Sequence, residues 1–89
     1  MYRVLVVEDD GVIAAEICKS LTAWGLEAQA AEHLHDVLAD VAAFSPHLVL
    51  MDISLPFYNG YYWCGEIRKT AKMPVIFLSS PPGRTTWIS

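Results

Sequence analysis

Leu48-Val49-Leu50-Met51-Asp52 decides the reading of this chain: an unbroken apolar run of strand length that ends on a carboxylate. Val4-Leu5-Val6-Val7 has the same texture and ends in Glu8-Asp9-Asp10. Short continuous apolar runs of this kind fit strands buried on both faces of a parallel sheet. In an open α/β sheet, ligands bind at the C-terminal edge of the strands. Both runs deliver acids to that edge. Carboxylates crowded together repel each other, so the pattern calls for a hard cation among them or for one group meant to react.

Working outward, Asp10 is placed to cap a helix carrying Ile13, Ile17, Leu21 and Trp24 at helical spacing, with Gly25 as its stop. Leu26-Glu27-Ala28-Gln29-Ala30 alternates apolar and polar, as an edge strand does. Leu34, Val37, Leu38, Val41 and Phe44 mark a second amphipathic helix, ended by Ser45-Pro46. After Asp52 a loop passes Pro56, Asn59 and Gly60 into a third helix reaching about Thr70, with Trp63 and Ile67 facing inward. Pro74 opens a fourth strand, Val75-Ile76-Phe77-Leu78, which ends at Ser79-Ser80. The alternation of strand and helix predicts an α/β fold with right-handed crossovers. The two fully apolar strands belong in the middle, which gives a flavodoxin-like parallel sheet of order 2-1-3-4.

Composition narrows the function. The 89 residues support one small domain, 54% hydrophobic and only 18% charged, so some apolar surface needs a cover. A net charge of −4 without a basic stripe argues against nucleic-acid binding. No stretch is long enough to span a membrane, and Met1-Tyr2-Arg3 runs straight into a strand rather than a signal peptide. Cys18 and Cys64 lie far apart, as reduced thiols packed in helices would; a cytoplasmic protein is expected. His33, His35 and His47 are scattered and read as surface or helix-end residues. The aromatic group Phe57, Tyr58, Tyr61, Tyr62 and Trp63 serves either to pack a loop against a helix or to meet a partner.

Neighbouring strands lie about 4.8 Å apart, so carboxylates leaving the first and third strands can converge. Such a set suits Mg²⁺, and a carboxylate beside the metal can act as a nucleophile towards phosphorus. Ser79, at the end of the adjoining strand, can offer a hydroxyl to a phosphoryl oxygen on Asp52. Taken singly, Glu8 and Asp9 fit a helix's first turn as well as a metal, Asp10 fits a cap, and Asp52 fits a turn. The convergence of all of them on one sheet edge favours a site.

Four blocks in order, Val4 to Asp10, Asp52-Ile53-Ser54-Leu55-Pro56 with Gly60, Ile67-Arg68, and Pro74 to Ser80, resemble the receiver domain of bacterial two-component response regulators. The Glu-Asp-Asp block is similar to the OmpR-type class. The stretch Ser54 to Cys64 is similar to regulators of the peptide-antibiotic-sensing group. The resemblance implies that Asp52 accepts a phosphoryl group from a sensor histidine kinase. It further implies that Mg²⁺ is held by Glu8, Asp9, Asp52 and the backbone carbonyl of Ser54. Ser79 would be the switch hydroxyl, and Pro56 and Gly60 would shape the loop. The output would be transcription control through a domain absent from this chain, and no enzyme activity is expected. A phosphatase of the haloacid-dehalogenase type would want an Asp where Ser54 stands.

The likeness covers 1–80, a truncated receiver domain, and leaves 81–89 as a non-family tail. The family's last helix-strand-helix unit has no counterpart, nor has its Lys, whose charge-assisted contact is worth about 1.5–3 kcal/mol. The apolar fourth strand therefore has no evident neighbour. Self-association through that exposed strand, or domain swapping, is expected. The competing function is a phosphorylation-incompetent fragment serving only as a dimerising or interaction piece.

Overall fold

Successive side chains of a strand point to opposite faces, and here both faces of the central strands are covered. The structure, a computed structural model, describes residues 1–79 and 86–88, the side chains of 79 and 86–88 excepted. The elements are β1 (Arg3–Val7), α1 (Gly11–Ala23), β2 (Glu27–Ala30), α2 (Val37–Phe44), β3 (Leu48–Asp52), α3 (Gly60–Thr70), β4 (Val75–Ser79) and β5 (Thr86–Ile88). The sheet order is β2-β1-β3-β4-β5. The first four strands are mutually parallel and carry the 2-1-3-4 order of a flavodoxin-like fold.

The continuous apolar texture of β1 and β3 follows from their position. Leu5, Val7, Val49, Met51, Val75 and Phe77 pack with Val37, Trp63 and Ile67 on the face covered by α2 and α3. Val4, Val6, Leu50 and Leu78 pack with Ala14 on the other face, with Ile17 and Leu21 of α1 against them. β2 alternates exposed and half-buried residues because it is an edge strand with one wet face.

Capping works largely as the sequence suggested. The Asp10 carboxylate accepts from the N–H groups of Val12 (3.0 Å) and Ile13 (3.2 Å). Gly25 takes φ +88° just past α1, where a side chain would be strained. Arg3 Nε donates to the carbonyls of Phe44 (3.1 Å) and Ser45 (2.9 Å), satisfying the C-terminal end of α2. His47 is a structural surface residue: Arg3 N–H donates to its Nδ1 at 2.9 Å, and its ring stacks on Tyr2. Cys18 and Cys64 are free, half-buried thiols in α1 and α3.

Three expectations are corrected. Trp24 does not join the inward face of α1; it is the C-cap, 81% exposed, beyond the last turn that packs on the sheet. The second helix begins at Val37, not at Leu34. The cause is Asp40, a buried carboxylate whose oxygens accept from Glu32 N–H (3.2 Å), His33 N–H (2.9 Å) and face His33 Nδ1 (3.2 Å). These bonds hold residues 32–33 out of helical geometry, and Leu34 reaches the core from a turn. Finally, the edge of β4 is not bare. Thr86–Ile88 of the tail pairs with it antiparallel, in the register Phe77↔Ile88, Leu78↔Trp87 and Ser79↔Thr86. A reversed strand needs only a hairpin connection, whereas a parallel neighbour would need a crossover of a dozen residues or more.

Replacing Asp40 by Ala should lower unfolding free energy by about 2–4 kcal/mol, since it strands two backbone N–H groups and a packed loop. Urea denaturation checks this; an Asp40→Ala midpoint equal to that of the parent would contradict the assigned role.

Candidate functional site

The parallel register sets the site. Val7 pairs with Met51 and Asp52 with Leu78, so β1, β3 and β4 end level with one another. Glu8 and Asp9 leave β1 one and two residues past its end, beside Asp52 at the end of β3. Carboxylate oxygens of Glu8, Asp9 and Asp52 all lie within 4.8 Å of one another. Glu8 and Asp52 are buried, while Asp9 faces solvent. Backbone N–H groups partly offset the charge: Asp10 N–H donates to Glu8 Oε2 (3.3 Å) and Ser54 N–H to Asp52 Oδ1 (3.1 Å).

The loop from β3 to α3 is pinned closely over this edge. Ile53 N–H donates to the Leu78 carbonyl, and Gly60 N–H to the Ile53 carbonyl at 3.0 Å. Gly60 is buried at the start of α3, and a Cβ there would fall 2.5 Å from the Asp52 carbonyl oxygen and 2.9 Å from Met51 Cγ. Only glycine lets the helix start this near the acidic residue. Asn59 caps α3 by accepting from Tyr62 N–H at 2.9 Å. Pro56 is exposed in the loop. Ser79 ends β4 next to Asp52 in the strand register, but its hydroxyl lies outside the described residues.

Burial is the largest influence on Glu8. It raises the carboxyl from 4.5 to about 8, helped by hydrogen bonds to Asp52 and Asp9 and by the Asp52 charge, against the opposing Asp10 N–H. Near neutral pH the cluster thus lowers its own charge by keeping a proton on Glu8. A divalent cation does the same work by another route. The donors are all oxygens, two are carboxylates that share a buried edge, and one side opens to solvent through Asp9. This fits a hard ion such as Mg²⁺, which keeps several waters and takes few protein ligands.

The residue pattern matches the response regulator receiver domain family over residues 4–86. The chain belongs to that family. This receiver is 46% identical over 80 residues to the uncharacterized transcriptional regulatory protein YvcP of Bacillus subtilis, covering 90% of the chain and 34% of the relative. It thus spans about a third of the length of that curated relative. Among solved structures it resembles the N-terminal domain of the nisin resistance regulator NsrR, a lantibiotic response regulator. There the TM-score is 0.83 and identity 36%, over 97% of this chain and 73% of that one. It also resembles TrrA of Thermotoga maritima. One TrrA structure is a complex with the histidine kinase ThkA (TM-score 0.78, 32% identity, 94% and 75% coverage). Another holds Mg²⁺-BeF (TM-score 0.76, 33% identity, 84% and 66% coverage).

Sequence reasoning placed the acids of this receiver together but did not find the proton on Glu8 or the role of Asp40. Both depend on burial that no motif reports. Phe57, Tyr58, Tyr61 and Tyr62 are exposed around the loop. Trp63 is buried edge-on against the stacked pair Tyr58 and Tyr62, and its indole N–H has no hydrogen-bond partner among the described residues.

The Glu8 carboxyl yields a pH prediction. The folded chain holds this proton to about pH 8 and the unfolded chain releases it near 4.5. Between those limits the native state binds more protons, so stability falls as pH rises from 5 to 8. Urea midpoints without divalent cation should therefore decline over this range in the parent and less in Glu8→Gln, and Mg²⁺ should restore the parent at pH 8. Identical slopes in parent and variant would contradict it. Independently, Gly60→Ala should cost about 1–3 kcal/mol, because backbone must move to admit the methyl group; an unchanged thermal midpoint would argue against the close approach.

Proposed function

We propose that this receiver takes a phosphoryl group from a sensor histidine kinase onto Asp52, with Mg²⁺ held by Glu8, Asp9, Asp52 and the Ser54 carbonyl. The observation that carries the reading is the convergence of three carboxylates at the C-terminal rim of a parallel sheet, two of them buried. Burial of Asp52 keeps its carboxylate short of water, and the Ser54 N–H bonded to Oδ1 orients it. One carboxylate oxygen attacks phosphorus. The O–P bond forms as the P–N bond to the donor histidine breaks, and the ring nitrogen keeps the electron pair. Mg²⁺ supplies charge neutralisation for the incoming phosphoryl oxygens, and the rest is positioning by the protein.

Other residues take supporting roles in this proposal. The Ser79 hydroxyl bonds a phosphoryl oxygen and reports the modification to the loop that follows. Gly60 and Pro56 shape the opposite wall. The kinase is the first partner, and TrrA, which is crystallised with one, supports that choice. A second copy of the chain is the other partner, reached only where the segment that pairs with β4 is exchanged between copies. By analogy with YvcP, the output in the whole protein is transcription control in the cytoplasm, carried by residues other than these, with no enzymatic turnover of a substrate. The likeness to NsrR supports a place in the peptide-antibiotic-sensing group. Among the described residues no helix is long and apolar enough to cross a membrane.

Incubation with acetyl phosphate and Mg²⁺, followed by intact-mass measurement, tests the reading. One base-labile phosphoryl adduct is expected, absent in Asp52→Asn, and slowed about tenfold or more in Asp9→Asn. No adduct at any donor concentration, in a chain with native circular dichroism, would leave the phosphorylation-incompetent interaction piece as the better description.

A further inference from the structure

We propose that the outer edge of β4 is a strand-acceptor site, filled in cis by Thr86–Ile88 and able to take the same segment from a second copy of the chain. β4 is apolar from Val75 to Leu78, with Val75, Phe77 and Leu78 buried. Such an edge is a ready template for another strand unless something covers it. The cover found here is only three residues long, and it runs antiparallel to a sheet that is otherwise parallel. Short two-stranded pairings of this length are marginal by themselves. The cis pairing persists because six residues tether the segment to β4, which gives an effective concentration in the millimolar range.

The occupant in trans is a second copy for a definite reason. Among the described residues Thr86–Ile88 is the segment that pairs with this edge in a defined register, and every copy of the chain brings it. Exchange keeps the same pairs, Phe77↔Ile88, Leu78↔Trp87 and Ser79↔Thr86, and replaces a tethered partner by a free one. The exchanged pairing also ends at Ser79, one residue beyond the Asp52↔Leu78 pair. Dimerisation would therefore lie against the acidic rim without using any of its carboxylates. The inference rests on the sheet and not on phosphoryl transfer, so failure of one leaves the other standing.

The test separates the two arrangements by length of the tether. Deleting Pro81 to Thr85 leaves a single residue between Ser79 and Thr86, fewer than the two a hairpin needs. By light scattering after size exclusion at micromolar concentration, the parent is expected as a monomer of 9.9 kDa and the deletion variant as a dimer of its own, slightly shorter chain. Adding Thr86→Pro and Ile88→Pro to the deletion should return it to monomer, because proline removes the N–H groups of the pairing segment. A deletion variant that stays monomeric at high micromolar concentration, or a dimer that survives both prolines, overturns the proposal. Hydrogen exchange on the full-length chain gives a second reading. The β4 amides facing β5 should lose protection in Thr86→Pro/Ile88→Pro, and unchanged protection there would also overturn it.

Discussion

Three carboxylates brought within 4.8 Å at the end of a buried sheet constitute the constraint on which the rest of this structure turns. Their mutual repulsion opposes the fold, and the surroundings supply only partial relief through two backbone N–H groups. The remaining charge has to be met by a proton or a cation. A site of this kind is poised between states, because each of those partners changes the electrostatic balance of the same rim. The sheet is what makes the convergence unavoidable: once β1 and β3 pair in parallel with Val7 opposite Met51, the next residues on each strand must share one edge.

That convergence was legible in the chain itself. Two apolar runs ending in acids give the strands, their burial and their common edge without reference to any relative. Asp10 declared itself as a cap, Gly25 as a stop and β2 as an edge, each through a local physical preference that the tertiary structure does not override. The errors came where a long-range contact outweighs a local pattern. Leu34 lies at perfect helical spacing from Val37, Leu38 and Val41, yet Asp40 captures the N–H groups just before it and delays the helix. Trp24 continues the apolar periodicity of α1, yet falls past the end of the surface it would pack on.

The tail illustrates the same lesson from the other direction. Residues 86–88 have no helical period, and nothing in their order announces a partner. Pairing arises because β4 presents an apolar edge next to a segment tethered close by, and backbone hydrogen bonds are indifferent to sequence. Edge protection and site geometry meet at Ser79, which closes β4 at the acidic rim and pairs with Thr86. Gly60 is a contrasting case. Its place beside Asp52 was visible as a loop glycine, but the reason, a Cβ 2.5 Å from the Asp52 carbonyl oxygen, appears only when α3 is docked.

The central claim is that Glu8, Asp9 and Asp52 behave as one charge-coupled cluster. Carbon-13 NMR of their side-chain carboxyls, followed during a Mg²⁺ titration and across pH, measures this directly. The account predicts that the three signals move together on adding Mg²⁺, and that without metal Glu8 titrates near pH 8. Signals that ignore Mg²⁺, with Glu8 titrating near 4.5 as a free carboxyl does, would contradict it.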